Sequence, residues 1–417
     1  MMKRIKVAVL GGSSLSTPLL VEAIVSGSPQ AAYDVVLAGR DAERLGLVQH
    51  VSQELLRGRA VDVRVSTTLH MEQALEGADF CINQIRPGGL EGRAYDETFP
   101  RQFGIPGEET LGPGGFSSAI RSLPVVMDQC RLMEQVAPDV VLLNLTNPCS
   151  LLQYAIRRST KVNVIGLCEL PIIMMERIAG VLGVERSELD FDLAGMNHHS
   201  WVTSVRQAGQ ERLPDVLSQI ERLPKLGVNP KLVKALGAIP SPFMRFYFHP
   251  DRILTETSGK PVRAQELIEL GQAMLEDFQQ WQPGTGGPPA SLRTRGAAWY
   301  DKIVAPVLLA FAEERDALLP LNIENNGVLP FLPRDAIVET LVEIKRGQMQ
   351  KPDSVTTPID LRALLTSHCA FEMLAAQAVM ERDREKALRA ILSDPLVKSF
   401  EQAQKIVEVI FDLSIKR

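Results

Sequence analysis

At 417 residues, 45% of them hydrophobic, the chain exceeds one ordinary core and carries the apolar material for two domains. A net charge of −5 without a basic run excludes a nucleic-acid surface, and no apolar stretch approaches the ~18 residues of a membrane span. Cys81, Cys130, Cys149, Cys168 and Cys369 are scattered without framework spacing, which points to a reducing cytoplasm, and Val7 to Leu10 is too short for a signal-peptide core.

Residues 5–10 (IKVAVL) form a β-rich apolar run that ends in Gly11-Gly12-Ser13-Ser14 and passes through Thr17-Pro18 into an amphipathic helix. Strand, glycine turn and helix make the first unit of a dinucleotide fold, where the backbone approaches a pyrophosphate and helix N–H groups meet it. The pattern GGSSLS departs from G-x-G-x-x-G, so a tight turn without a ligand explains it equally well. The next strand, DVVLA at 34–38, ends at Gly39-Arg40-Asp41, where an acid for the ribose diol is usual. Arg40 in that place would suit a 2′-phosphate, and Asp41 either faces the ribose or caps the helix that follows.

Strands at 61–65 and 78–85 come next, followed by the loop Arg86-Pro87-Gly88-Gly89 and an acid-rich helix. GEETLGPGG at 107–115 reads as a punctuated turn into a helix from Ser117, with Glu108, Glu109 and Arg121 crowding one region. VVLLNL (140–145) and VNVIGL (162–167) complete an open parallel sheet, with right-handed crossovers setting their ends side by side. Three segments then converge: NLTNPCS, VIGLCELP and AGMNHHSW, each expected to end an apolar run at the carboxyl edge of the sheet, where ligands bind. They carry Asn147, Cys168, Glu169 and His198, with the cysteine and histidine thirty positions apart. Beyond residue 200 helical periodicity dominates. Trp281 to Ala290 reads as a mobile loop, the segment around 321–339 as a hairpin or extended connection, and Asp360 to Lys416 as amphipathic helix.

Taken together, VAVLGGSSLSTP, QIRPGGLEGRAYDE, GEETLGPGG, NLTNP, IGLCELP, GMNHHSW, RGAAWY, NNGVLPFLP and the AVMERDREKALRAILSDPLV tail resemble glycoside hydrolase family 4, in family order and over essentially the whole chain. The resemblance implies an α/β protein: a Rossmann-type parallel-sheet domain (1–195) fused to a C-terminal α+β domain (196–417) like that of lactate and malate dehydrogenases. It implies a glycosidase of the 6-phospho-β-glucosidase branch with NAD and Mn²⁺, working as a homodimer or homotetramer on a small glycoside, with no nucleic-acid or membrane partner. The family's reaction oxidises sugar C3 with NAD, removes the acidified C2 proton, eliminates the leaving group, adds water and re-reduces C3.

Carried over residue by residue, the resemblance assigns metal ligation to Cys168 and His198, and His199 to a polar wall beside them. Tyr300 becomes the base, its phenol lowered by the metal and Arg295. Glu169, where relatives carry aspartate or asparagine, becomes the acid. Gly11, Gly12, Ser13, Ser14, Arg40 and Asn147 fall to the cofactor, with NADP left open by Arg40. Arg86, Glu109, Asn147, Asn197 and Arg295 fall to the substrate, with Arg293 as further positive charge for a 6-phosphate. Each residue also has an ordinary reading: a buried cysteine as an inert hydrophobe, a helix tyrosine as packing, Asn147-Pro148 as a strand end. Within the family the rival is an unphosphorylated α- or β-glycosidase. Outside it stand a 2-hydroxy-acid dehydrogenase, disfavoured because it needs a His–Asp pair and has no use for a Cys–His metal pair, and a non-catalytic sugar and nucleotide sensor.

Overall fold

Alternating short apolar runs and amphipathic stretches fold, in a computed structural model describing residues 4–28, 31–284 and 286–415, into two sheets wrapped by helices. Side chains are described to Asp412. The basic start (Met1 to Lys3), Thr285 of the 281–290 loop and Lys416 of the expected tail lie outside the described residues.

The large sheet is built first. Strands β1 (Ile5–Leu10), β2 (Ala32–Ala38), β3 (Asp62–Thr68), β4 (Phe80–Asn83), β5 (Val141–Asn144) and β6 (Asn163–Gly166) are all parallel, in the order β3-β2-β1-β4-β5-β6. The inner strands are apolar on both sides, as in Val7 to Leu10 of β1, because helices cover both faces. Helices α1 (Thr17–Gly27), α2 (Ala42–Leu56), α3 (Met71–Leu75), α4 (Gly89–Thr98), α5 (Gly112–Val136), α6 (Cys149–Ser159) and α7 (Leu170–Leu182) make the crossovers. α1 starts with Pro18 in its first turn, where no N–H is needed, and seals Leu20, Val21 and Ile24 completely. Each such side chain contributes ~1.5–3 kcal/mol.

The next chain segment leaves this sheet. β7 (Leu189–Met196) and β8 (His199–Gln207) form an antiparallel hairpin, joined by β9 (Gln210–Glu211) and β10 (Ile239–Pro240). AGMNHHSW is therefore the tip of a separate hairpin, not the end of a parallel strand. The two residues of its turn are Asn197 and His198, and His198 takes a positive φ of 63°.

The chain then returns. β11 (Ala317–Glu324), β12 (Ile337–Lys345) and β13 (Gln348–Gln350) extend the large sheet antiparallel from β6 to nine strands. A division at 195/196 thus falls inside β7, and the C-terminal half completes the sheet begun by the N-terminal half. The expected hairpin around 321–339 is this β11–β12 pair. The helix Ile359–Glu381 is long and apolar enough to cross a membrane by length and composition alone, though Asp360, Arg362, His368 and Glu372 interrupt it. Here it packs on α5 and α6, burying Leu361, Leu365, Phe371 and Ala375.

Candidate active site

The β1–α1 loop is shaped by close packing. Gly11 and Gly12 both donate their N–H groups to Ala38 O, at 3.1 and 2.9 Å. A Cβ on Gly12 would lie 2.8 Å from Leu37 Cβ, so only glycine allows the turn to pass over the end of β2. Ser13 and Ser14 stand half-buried at the mouth of the loop, and the Ser13 N–H has no acceptor among the described residues. That is the fit expected for a pyrophosphate. At the end of β2, Asp41 accepts the Arg44 N–H at 3.0 Å and caps α2, while Arg40 is exposed. The carboxylate usual for the ribose is therefore spent on a cap.

Gln84, just past β4, joins this loop to the C-terminal half. Its amide donates to Thr17 Oγ1 at 2.9 Å and to Gly11 O at 3.2 Å, and its Oε1 accepts from Tyr300 Oη at 2.6 Å. Tyr300 is sealed at the start of an apolar helix. Burial pushes its phenol up, opposed by hydrogen bonds and by Arg295. The structure thus puts Tyr300 at the dinucleotide loop with its proton already engaged.

The Arg86 loop closes over a charged cluster. Gly88 (φ 83°) leaves room for Arg121, whose Nε would lie 2.9 Å from a Cβ there. Arg121 is bound to the buried Asp96 beneath the loop, which removes it from the crowd expected around Glu108 and Glu109. Arg86 Nη1 pairs with Glu109 Oε2, and Arg93 Nη1 holds the other oxygen at 2.8 Å. Burial would raise Glu109, but Arg86 and Arg93 outweigh it and hold the carboxyl below the usual range. Arg295 lies close enough to Arg86 and Arg93 that burial, followed by these like charges, lowers its own pKa. Half-buried guanidiniums facing one another favour an anion between them. Arg293 takes no part: it is exposed and paired with Glu22 at 2.6 Å.

The segment GEETLGPGG is a bent lead-in at 107–111 whose GPGG already forms the first turn of α5, five residues earlier than Ser117. A Cβ on Gly114 would meet Glu108 O at 2.1 Å, so these glycines let the helix start close against residues 108–110. The Thr110 hydroxyl lies 2.8 Å from His198 Nδ1. The His198 ring also stacks on Phe243, centroids 4.3 Å apart and planes 13° apart. Burial lowers its pKa to about 4, so the imidazole is neutral at physiological pH.

Cys168 follows β6, buried, its thiol pushed well up by burial and then by Glu339 and Glu169. Glu169 is half-buried before α7 and burial raises its carboxyl, which suits a group that must keep a proton to give. Glu339 on β12 bridges the two sheets: it accepts from Asn197 Nδ2 at 3.4 Å and from Asn322 Nδ2 at 3.4 Å. Its charge is felt at Cys168, and it feels that of Glu169, so the acid holding the Asn197–His198 turn also lies near the end of β6. Asn147 is half-buried beside a cis bond to Pro148, at the start of α6. His199 points elsewhere, buried against His368 (4.6 Å) and Tyr247 (5.4 Å).

Among the described residues no group of three or more His, Cys, Asp or Glu side chains forms a complete cation cage. Cys168 and His198 supply two donors, one soft and one borderline, so substrate or water oxygens would fill the rest of a divalent ion's shell. Gln84, Arg93, Thr110, Phe243 and Glu339 were not singled out from the sequence. Only Glu339 carried a signal, an acid inside the aliphatic run IVETLVEI.

A family model described as family 4 glycosyl hydrolase matches residues 6–184, and that of the family's C-terminal domain matches residues 193–397. A "Probable 6-phospho-beta-glucosidase" of Bacillus subtilis (strain 168) is 29% identical over 99% of this chain and 97% of its own. The solved 6-phospho-beta glucosidase of Thermotoga maritima, with manganese, NAD+ and glucose-6-phosphate, is 25% identical with a TM-score of 0.89, covering 99% of this chain and 98% of that one. Malate dehydrogenase from Salinibacter ruber, 15% identical with a TM-score of 0.56 over 92% of this chain and 99% of its own, shares the fold alone.

Proposed function

Because the chain belongs to the family 4 glycosyl hydrolases, we propose that it hydrolyses 6-phospho-glucosides, with NAD and a divalent metal such as Mn²⁺ as cofactors. What supports the reading is one acid, Glu339, that holds Asn197 beside His198 and is felt at Cys168 past the carboxyl end of β6, with Glu109 of the Arg86–Glu109–Arg93 cluster felt at His198. The Thermotoga maritima relative, described with manganese, NAD+ and glucose-6-phosphate, supports it.

When bound, the dinucleotide supplies a reversible hydride acceptor and the metal a Lewis acid for sugar oxygens. Gly11, Gly12, Ser13 and Ser14 would hold the first, with Asn147 at its nicotinamide end, and Cys168 and His198 the second. The chain's own residues do the rest. Arg86 and Arg295 bind the 6-phosphate, with Arg93 and Glu109 fixing the Arg86 guanidinium. Asn197 and Asn147 orient sugar hydroxyls. Glu169, protonated above the ordinary carboxylate range, gives its proton to the leaving oxygen. The base at C2 is assigned to Tyr300, whose bond to Gln84 must open for it to act. Arg40, free where an acid is usual, keeps NADP as the second cofactor reading. We take residues 1–195 as the dinucleotide unit and 196–417 as the substrate and assembly unit of a cytoplasmic homo-oligomer. The five buried free cysteines suit that compartment.

The test is release of p-nitrophenol from α- and β-glucosides with and without a 6-phosphate, in NAD⁺ and Mn²⁺ and again after EDTA. The expected result is cleavage of the phosphorylated β-substrate, lost without either cofactor. Net NADH formation on a 2-hydroxy acid without aglycone release would overturn it in favour of a dehydrogenase. Binding of sugar and cofactor without cleavage would favour a sensor.

A further inference from the structure

We propose that Glu108 and Thr110 are positioning residues that hold His198 as its Nδ1–H tautomer and so dedicate Nε2 to the metal. This rests on the reading of His198 as a ligand.

The argument is a count of protons. Glu108 is buried ahead of α5, and its Oε2 accepts the backbone N–H of Thr110 at 2.6 Å and of Leu111 at 3.0 Å. The Thr110 hydroxyl lies against the same oxygen. Two fixed amide donors aim at Oε2, so that oxygen is an acceptor whether or not the carboxyl is ionised. A hydroxyl has one proton and two lone pairs. If that proton pointed at His198, lone pairs of Thr110 Oγ1 and Glu108 Oε2 would face each other between buried residues, and the cluster would hold one hydrogen bond fewer. The proton therefore goes to Glu108, and Oγ1 presents a lone pair to His198 Nδ1, 2.8 Å away. Nδ1 must then carry the hydrogen, and Nε2 keeps the free lone pair that a metal needs. Phe243, parallel to the ring, fixes the plane in which that lone pair points. A carboxylate acting through a hydroxyl thus does for His198 what a direct carboxylate partner does at other histidine–metal sites.

Glu108 never touches His198, so the proposal makes an unusual claim: deleting it should flip a tautomer one residue removed. Released from Glu108, the Thr110 hydroxyl can donate to Nδ1, which moves the ring proton to Nε2. The experiment uses metal-free full-length protein labelled with ¹⁵N at its six histidines, read by long-range ¹H–¹⁵N correlation, with His198→Gln assigning the signal. The expected result is Nδ1–H in wild type and Thr110→Ser, and Nε2–H in Glu108→Ala. Mn²⁺ affinity, read by the EPR signal of the free ion, should weaken about 10–100-fold in Glu108→Ala and Thr110→Val and recover in Thr110→Ser. Nε2–H in the wild type, which requires no variant to fold, overturns the proposal, as does an unchanged tautomer in Glu108→Ala. An Nδ1–H wild type whose His198 signals are untouched by Mn²⁺ would instead overturn the ligand reading beneath it.

Discussion

Replacing Arg86 by methionine keeps the side-chain stem and removes the charge. Two consequences follow from where Arg86 sits. Its guanidinium is about one-third exposed and uses Nη1 on Glu109, leaving its other edge for an anion. Charge-assisted bonds to such an anion stabilise by ~1.5–3 kcal/mol, so kcat/KM for a phosphorylated glucoside should fall about 10- to 150-fold. Activity on the unphosphorylated analogue should hardly move, and the ratio of the two isolates the phosphate. The second consequence is stability. Glu109 is buried and would be left with Arg93, which already serves Glu97 through Nε at 2.6 Å. Breaking a buried pair costs ~3–5 kcal/mol, but the remaining arginine and the exposure of Arg86 reduce this to ~1–2 kcal/mol. Because the folded state depresses the Glu109 pKa, its contribution is present above the unfolded value of ~4.3 and is lost as pH falls through the folded one. Urea unfolding should therefore separate the variant from wild type at pH 7 and much less near pH 3. An unchanged substrate ratio would refute the phosphate assignment, and an unchanged midpoint at pH 7 would refute the account of Glu109.

Three further outcomes are expected. In the metal-free protein Cys168 is a thiol and His198 a neutral ring, so capture of one metal ion should release one proton; affinity should then rise about tenfold per pH unit near neutrality, and Cys168→Ser should abolish both slope and tight binding while NADH still binds. Gly12→Val would drive a branched side chain into Leu37, and ~1–3 kcal/mol of strain should appear as weaker NADH binding in a fluorescence titration; unchanged affinity would mean that the loop does not touch the dinucleotide. Tyr300→Phe removes the hydroxyl donated to Gln84, and exchange of the C2 hydrogen with solvent deuterium should slow by ~10²–10⁴; undiminished exchange would leave Tyr300 as a strut of the cofactor loop.

What could be read from the sequence follows the reach of its interactions. The parallel strands were legible because a strand buried on both faces announces itself in four to six consecutive aliphatic residues, as in IKVAVL. The Asp41 cap was legible as an alternative because capping is local. The hairpin carrying His198 was not: LDFDL alternates, but its partner HSWVTSVRQ does not and the turn between them has no Asn-Gly. The partners of His198 were further out of reach: Thr110 is 88 residues away, and Asn197 and Glu339 are 142 apart. No spacing rule connects such pairs, because they meet only once two sheets have docked. Arg293 shows the converse error, a cation next to a motif whose real partner is Glu22 on α1.

The metal pair proposed above would be split between two sheets and would need something rigid to hold its halves in register, which β11 and β12 provide. Gly166, two residues before Cys168, pairs with Asn322 on β11, and Asn322 pairs with Glu339 on β12. That row of three runs straight from the cysteine's strand to Asn197, the neighbour of His198. Gly166 has no alternative, since a Cβ there would lie 2.5 Å from Cys149 Sγ and 2.9 Å from Asn322 Cβ. One position further, the Thr340 hydroxyl donates to Leu193 O at 3.0 Å and pins β7 to β12. Burial, helped by the nearby Glu169, raises Glu339 to about 7 in spite of the amide and hydroxyl donors that pull it down, so this acid is costly to keep in an aliphatic strand. A packing role would be met more cheaply by leucine. Its presence is explained if the fold must tie the Asn197–His198 turn to the large sheet by directional bonds rather than by interchangeable apolar contact. On that argument the chemistry of this chain lies less in the dinucleotide half, whose architecture it shares with malate dehydrogenases, than in three returning strands that decide where a histidine stands relative to a cysteine.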